Sequence, residues 1–285
     1  TIGAKVALGA NQTWTNDSTS PLTISGAISG TSTLAKTGAG TVRLTAADNT
    51  FTGALTVSAG TFEVGGAGRL NLGAYAGAIN NAGTLFINSS ANQTLSGVIS
   101  GAGTLAKGGA GTLTLNADNT FTGPVNINGG VLTLNNSSSG LYTYRGGTIT
   151  IDNGATLRVS RTGSADQYWF NGKTFAFGAA GGGTIDTTTA MNIVVYGGSS
   201  ITTSGGAQNS IIGASGINLH NSESITFNVA DGAAATDLQV SAPLFNGGGV
   251  IKTGAGVLQL TGNNSYSGAT VVNQGVLAVS GGNGI

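Results

Sequence analysis

The chain has no cysteine, three prolines and a single histidine in 285 residues. Without cysteine there can be no disulfide framework and no thiolate metal site, so stability must come from packing and hydrogen bonds. The lone histidine, His220, has no second His for a metal pair and no motif around it that would make a Ser/His/Asp set. Three prolines exclude a Pro-rich linker. Charge is equally scarce. Only 7% of residues are charged, against roughly a quarter in ordinary globular domains. Ten basic side chains balance ten acidic ones, and none of the basic ones form a run. The counterion release that drives nucleic-acid binding is therefore missing, and no nucleic-acid partner is expected.

No apolar run approaches the roughly 18 residues of a membrane helix, and no charged, apolar leader opens the chain. The first residue is Thr rather than Met, which reads as a processed chain or a piece of a longer one. There is no GxxxxGK[ST] phosphate loop, and the Asp-rich glycine nonapeptide of calcium-binding β-rolls is also missing. Asp166 and Asp186 lie 20 residues apart, and Asp231 and Asp237 are close in sequence, yet neither pair has an evident basic partner. These observations lead to the expectation of a non-enzymatic protein with no cofactor and no metal.

What the chain does have is glycine, 51 residues of it, with Thr, Ser, Asn, Ala and aliphatics making up most of the rest. Gly-rich polar chains are often disordered because they bury too little apolar surface to offset chain entropy. Here 39% of residues are hydrophobic and they alternate with polar ones, which argues for folded strands.

The alternation is organised by a repeat. The stretch 99–134, ISGAGTLAKGGAGTLTLNADNTFTGPVNINGGVLTL from Ile99 to Leu134, recurs at 28–64 and at 245–279. Its lysine falls at Lys36, Lys107 and Lys252, spaced by 71 and then 145 residues, close to twice the first interval. Inside it is a smaller unit, a Gly followed by Thr or Val and then apolar–x–apolar, as in Gly40-Thr-Val-Arg-Leu44. Successive units start 20, 23, 28, 19 and 17 residues apart, and three such steps make up the 71-residue repeat. In Thr41–Leu44, Val42 and Leu44 are expected to face inward and Arg43 solvent. Each leading Gly marks a corner.

A period of roughly 20–25 residues, with short strands and no helical pattern, predicts an all-β chain: a right-handed parallel β-helix with little or no α-helix. Roughly a dozen coils at about 4.8 Å each would give a rod of about 55–60 Å. Tandem immunoglobulin-like sandwiches and a β-propeller are the competing folds, but both use antiparallel hairpins and a larger aromatic core than 6% aromatics supply. Residues 1–25, with Trp14, read as an N-terminal strand segment and possible cap. Residues 26–285 read as one continuous β-helix, irregular over 137–244.

Two sets of residues are candidates for chemistry. The first is the repeat itself: Lys36, Lys107 and Lys252; Asp48, Asp118 and Asn263; Asn49, Asn119 and Asn264; and Phe51, Phe121 and Tyr266. These form either a repeated ligand pocket or a corner in which Asn caps the turn, the aromatic plugs the coil and Lys flanks the sheet. Their recurrence along one array favours the corner. The second is the stretch from Leu141 to Lys173, with Tyr142, Tyr144, Arg145, Asp152, Arg158, Arg161, Asp166, Tyr168, Trp169 and Lys173. Aromatic faces beside Arg and Asp are what a sugar- or protein-binding surface uses. The alternative is a widened coil whose rings fill a bulge. Asp152 and Arg158 are close enough in sequence to pair across a corner.

The repeat, G-x-L-x-K-x-G-x-G-x-L-x-L followed by an N-x-[FY]-[ST]-G turn, resembles the autotransporter-associated β-strand repeat of type V secretion passengers. The resemblance implies a secreted or surface-displayed β-helical passenger of a Gram-negative bacterium. It also implies a signal peptide and, in the parent chain, a C-terminal outer-membrane β-barrel that holds the passenger before any cleavage. The expected function is an adhesin-type scaffold for attachment, aggregation or biofilm contacts. Its expected partners are a host or bacterial surface protein or glycan, or another copy of itself. A vacuolating toxin passenger and a β-helix carbohydrate-active enzyme are the alternatives. The toxin would need a membrane-active apolar segment, and the nearest candidate, Met191–Tyr196, is short.

Overall fold

A computed structural model describes residues 1–136, 146–161, 167–187, 191–206, 210–213 and 215–280. The chain forms two compact units, Thr1–Asn136 and Ser137–Ile285. Each is a parallel β-solenoid, and together they make about 11 turns of roughly 23 residues. Among the described residues the helical content is two single 3-10 turns, Asn71–Gly73 and His220–Ser222.

Three main sheets wrap the first unit, beside a two-stranded parallel sheet of Val6–Ala7 and Ile28–Ser29. Sheet 1a stacks Gln12–Thr15, Leu34–Thr37, Leu55–Val57, Ile79–Asn81 and Ile99–Ser100. Sheet 1b stacks Leu22–Ile24, Thr41–Leu44, Thr61–Gly66, Thr84–Ser89, Thr104–Lys107 and Val125–Ile127. Sheet 1c stacks Ala74–Tyr75, Gln93–Leu95, Thr112–Leu115 and Val131–Asn136. In the second unit, sheet 2a runs from Ile149–Ile151 through Thr174–Phe177, Ser200–Thr203, Ile225–Asn228 and Val250–Thr253 to Thr270–Val272. Sheet 2b runs from Thr156–Arg161 through Thr184–Thr187, Ser210–Gly213, Leu238–Val240 and Val257–Leu260 to Val276–Val279. Sheet 2c holds Gln167–Asn171, Asn192–Tyr196, Gly216–Leu219, Leu244–Asn246 and Ser265–Tyr266.

Period-two alternation decides what enters the core. Inward rows are aliphatic and aromatic: Val42, Phe62, Leu85, Leu105 and Val125 stand in register through five coils of sheet 1b and are all buried. Outward rows are short and polar, as in Thr41, Thr61, Thr84 and Thr104. Where charge appears outside, opposite signs stack. Arg43 stands over Glu63, with Nε donating to Oε2 at 2.7 Å. Arg158 stands over Asp186 with two hydrogen bonds, Nε to Oδ1 at 3.0 Å and Nη2 to Oδ2 at 2.8 Å.

The repeat and the coil are not in phase. Lys36 lies on sheet 1a, and three coils carry the chain from it through Val57 and Asn81 to the corner at Gly101. Lys107 lies six residues further, on sheet 1b. The 71-residue spacing is thus three coils plus one side of the solenoid, rather than the three steps expected from the sequence. The same motif builds sheets 1a and 1b in its first copy and sheets 1b and 1c in its second. Strand pairing therefore puts Val42 over Phe62 and Leu44 over Val64.

Glu63 is nearly buried and takes bonds from Arg43 and from Asn88 Nδ2. Arg43→Met should leave its carboxylate with only the amide, at a cost of roughly 1–3 kcal/mol for a buried charge that loses a partner. Adding Glu63→Gln to this variant should recover most of the loss. Urea unfolding of the single and double variants measures both.

Candidate functional site

The repeat residues form corners that tie one coil to the next. Each repeat lysine occupies an inward position: Lys36 and Lys252 are 0% exposed and Lys107 1%. This corrects the expectation that the lysine flanks the sheet. Each amine donates to three main-chain carbonyls, two just ahead in its own coil and one in the next. Lys36 Nζ reaches Thr37 O at 2.8 Å, Gly38 O at 2.7 Å and Ala59 O at 3.0 Å. Lys252 Nζ reaches Thr253 O, Gly254 O and Gln274 O at 2.9, 2.7 and 3.1 Å. Lys107 Nζ bonds Gly108 O, Gly109 O at 2.9 Å and Gly129 O at 3.1 Å. An ammonium has three donors, and all three are used. Gly130 closes the Lys107 corner in the left-handed region at φ +60°, where an added Cβ would lie 2.9 Å from Lys107 Nζ.

The asparagines act at another corner. Asn49 Oδ1 accepts the Ile28 N–H at 2.8 Å, and its Nδ2 donates to Ala46 O and Arg69 O. Asn119 accepts from Ile99 N and Asn264 from Leu244 N in the same way. Phe51, Phe121 and Tyr266 are buried in the coil interior beside them. Asp237 works similarly: its carboxylate accepts the N–H groups of Gly232 and Val257. The lysines and asparagines of the repeat are thus engaged by the backbone, while Asp48, Asp118 and Asn263 beside them are exposed.

The stretch toward Lys173 divides differently. Tyr142, Tyr144, Arg145 and Asp166 lie outside the described residues, and of Arg161 only its place in Thr156–Arg161 is described. Asp152 does not pair with Arg158. Its Oδ1 accepts the N–H groups of Asn153, Ala180 and Gly181 and so fixes a turn, while Arg158 is held by Asp186 one coil on. Tyr168 points inward, 4% exposed, with its ring 5.1 Å from Phe170. Of the apolar segment Met191–Tyr196, Met191, Ile193 and Val195 are core side chains.

Trp169, the next residue along the strand, points outward from sheet 2c and meets two residues that the linear sequence keeps apart. Its ring is 5.4 Å from Tyr196 and 4.7 Å from His220, both edge-on, and Tyr196 lies 5.8 Å from His220. The three rings come from three consecutive coils and are half-buried. Val194 stands in register beside Trp169 and is fully covered. Asn218 continues that row and accepts a hydrogen bond from Asn246 Nδ2 at 2.9 Å. Phe245, half-buried in the fourth coil, lies over Gly216, where an added Cβ would meet its ring at 2.8 Å. Glu223 is engaged by the Gly197 N–H. Trp169 Nε1 is buried with no hydrogen-bond partner. Among the described residues, these three rings are the outward ones in contact with each other.

Tyr196 and His220 were not among the residues picked from sequence. The signal was present: the intervals of 27 and 24 residues that separate Trp169, Tyr196 and His220 are close to one coil. Finding it needed the coil lengths of the irregular region, which the regular repeats do not give.

A family model described as passenger-associated-transport-repeat matches the chain three times, at residues 34–64, 105–134 and 250–279. These matches begin in the strands that hold the buried lysines and take in the strands that follow. No curated protein and no solved structure matches the chain.

Burial without a carboxylate partner lowers the Lys107 amine to about 8 from its ordinary 10.5. Lys36 and Lys252 are also lowered by burial, partly offset by Asp17 and Asp237. Between pH 8 and 10.5 the unfolded chain holds a proton on Lys107 that the folded chain has lost, so stability rises with pH across this window. Buried Tyr75 acts oppositely. Its phenol is raised above its ordinary 10.0, so stability falls beyond that pH as the unfolded chain ionises first. The denaturation midpoint should therefore climb from pH 8 to about 10 and then drop. Lys107→Met should flatten the climb and, at pH 7, cost roughly 1–3 kcal/mol as three carbonyls lose their donor.

Proposed function

We propose that this chain, a β-solenoid whose repeats match the passenger-associated-transport-repeat model at three places, is a non-enzymatic, adhesin-type scaffold of an autotransporter passenger whose outward aromatic face on sheet 2c makes the contact. The repeat family implies a secreted, surface-exposed protein of a Gram-negative bacterium. Before any cleavage the passenger is held at the outer membrane by the β-barrel of its parent chain. Attachment, aggregation and biofilm contact draw on what each stacked solenoid unit supplies, a regular surface of repeated strands.

One observation carries the reading. Among the described residues, other outward rows carry mainly Thr, Ser, Asn and Ala, with two ion pairs and the single ring of Phe86, whereas three consecutive coils of sheet 2c place Trp169, Tyr196 and His220 together outside. Half-buried aromatic rings on an external face are the usual anchors of recognition surfaces. Core packing does not call for them there, because Tyr168, Phe170, Ile193, Val195, Ile217 and Leu219 already fill the inner side of the same strands.

The test is adhesion of the purified chain to immobilised cells, matrix proteins, glycans and itself. The wild type should bind at least one of these surfaces. The triple variant Trp169→Ala, Tyr196→Ala, His220→Ala should bind at least ten-fold more weakly at an unchanged thermal midpoint. Undiminished adhesion of a folded triple variant would remove this face from the role.

A further inference from the structure

We propose that the aromatic face of sheet 2c is a carbohydrate site, and that its ligand is an uncharged oligosaccharide whose pyranose rings stack on the cluster formed by Trp169, Tyr196 and His220. The inference rests on the adhesin reading and names its ligand class.

Three observations point to a sugar. The first is the chemistry of the surface. A pyranose has an apolar C–H face and a rim of hydroxyls, and it is matched by a ring cluster bordered by side-chain amides. Here the border is Asn192, Asn218 and Asn246. Among the described residues the outward positions of these strands carry no Lys or Arg, so a sulfated or sialylated glycan finds no permanent counter-charge on them. The nearby carboxylate, Glu223, is already taken by the Gly197 N–H.

The second observation is size. From Trp169 to Phe245 the patch spans three coil steps, about 14 Å at about 4.8 Å each, and one strand of five residues is about 16 Å long. That is roughly 230 Å², well below the roughly 800 Å² per partner of a stable protein interface. Protein hot spots are also enriched in Arg, which these strands lack. An oligosaccharide of a few rings fits the patch, and a folded partner overhangs it.

The third is the buried indole N–H of Trp169, which has no acceptor. A buried donor with no acceptor is unfavourable. A tilt of the ring toward a bound sugar hydroxyl supplies the missing acceptor, so the free chain holds a donor that binding completes.

The experiment uses the full chain with Trp14→Phe, so that Trp169 alone reports by fluorescence. It is titrated with neutral oligosaccharides (oligomers of glucose, galactose and N-acetylglucosamine) and, in parallel, with sulfated and sialylated ones. At least one neutral oligomer should shift the Trp169 emission and bind with a Kd that does not change with salt. Titration calorimetry reads the variants, since those at Trp169 lack the reporter: Trp169→Ala should raise that Kd at least ten-fold, Trp169→Phe less than Trp169→Ala, and His220→Ala should weaken binding in a chain whose thermal midpoint is unaltered. The His220 variant keeps the proposal falsifiable if Trp169→Ala fails to fold. Preference for anionic glycans would overturn the proposal. So would adhesion to proteins or to itself with no response to any neutral sugar, and that outcome would leave the adhesin reading standing. Absence of adhesion to every surface, glycans included, would overturn both.

Discussion

Stacking in register governs this chain. In a parallel solenoid every side chain stands about 4.8 Å below its equivalent in the next coil, so each position must tolerate its own neighbour. Rows of Thr satisfy this, as at Thr41, Thr61, Thr84 and Thr104. Rows of one charge do not, because like charges directly opposite are destabilising. The low charge content follows, and so does the placement of the charges that remain: Arg43 against Glu63 and Arg158 against Asp186. The buried lysines obey the same rule. Lys107 stands between Ile87 and Ile127, Lys36 between Trp14 and Val57, and Lys252 between Phe227 and Val272. No lysine has another above or below it.

A lysine amine in a core is costly unless its donors are met. These three meet theirs at a corner, where the chain turns and main-chain carbonyls come within reach of the amine. The third acceptor comes from the next coil, so each lysine couples two layers that are otherwise held by strand ladders and apolar contact. The asparagine corners do the same with the opposite polarity, accepting an N–H from the preceding coil. Main-chain carbonyls and N–H groups at these turns are thus met by side chains that the repeat supplies.

Much of the fold could be read from the sequence. Alternation in Thr41–Leu44 placed Val42 and Leu44 inside and Arg43 outside, and the period gave the coil length. Two features escaped. The inward lysine was visible in principle, because Leu105 and Lys107 are two residues apart and share a side of the strand. A charged residue type argues for solvent, and here the parity of the strand overrides it. The phase of the repeat was hidden for another reason. Three coils of unequal length, joined by corners that the motif does not specify, have to be followed pair by pair before the offset between Lys36 and Lys107 appears. At the candidate site, Trp169 was legible as an unusual residue, but its partners were not. Tyr168 and Trp169 are neighbours in sequence, but adjacent strand residues point to opposite sides, so Tyr168 belongs to the core.

The offset between repeat and coil also bears on where function can arise. The same motif closes two different pairs of sides in the first unit, so its lysine, glycine and asparagine corners fit any side of the coil. What they specify is inward: the row residues, the turn and the link to the next layer. Outward positions on the same strands are left unspecified by the repeat and can change without disturbing it. In sheet 2c the strands Gln167–Asn171, Asn192–Tyr196 and Gly216–Leu219 keep an ordinary inward set while their outer side collects rings from three coils. A recognition surface is available at that level of the architecture because binding there need not compete with the stacking rule that holds the coils together.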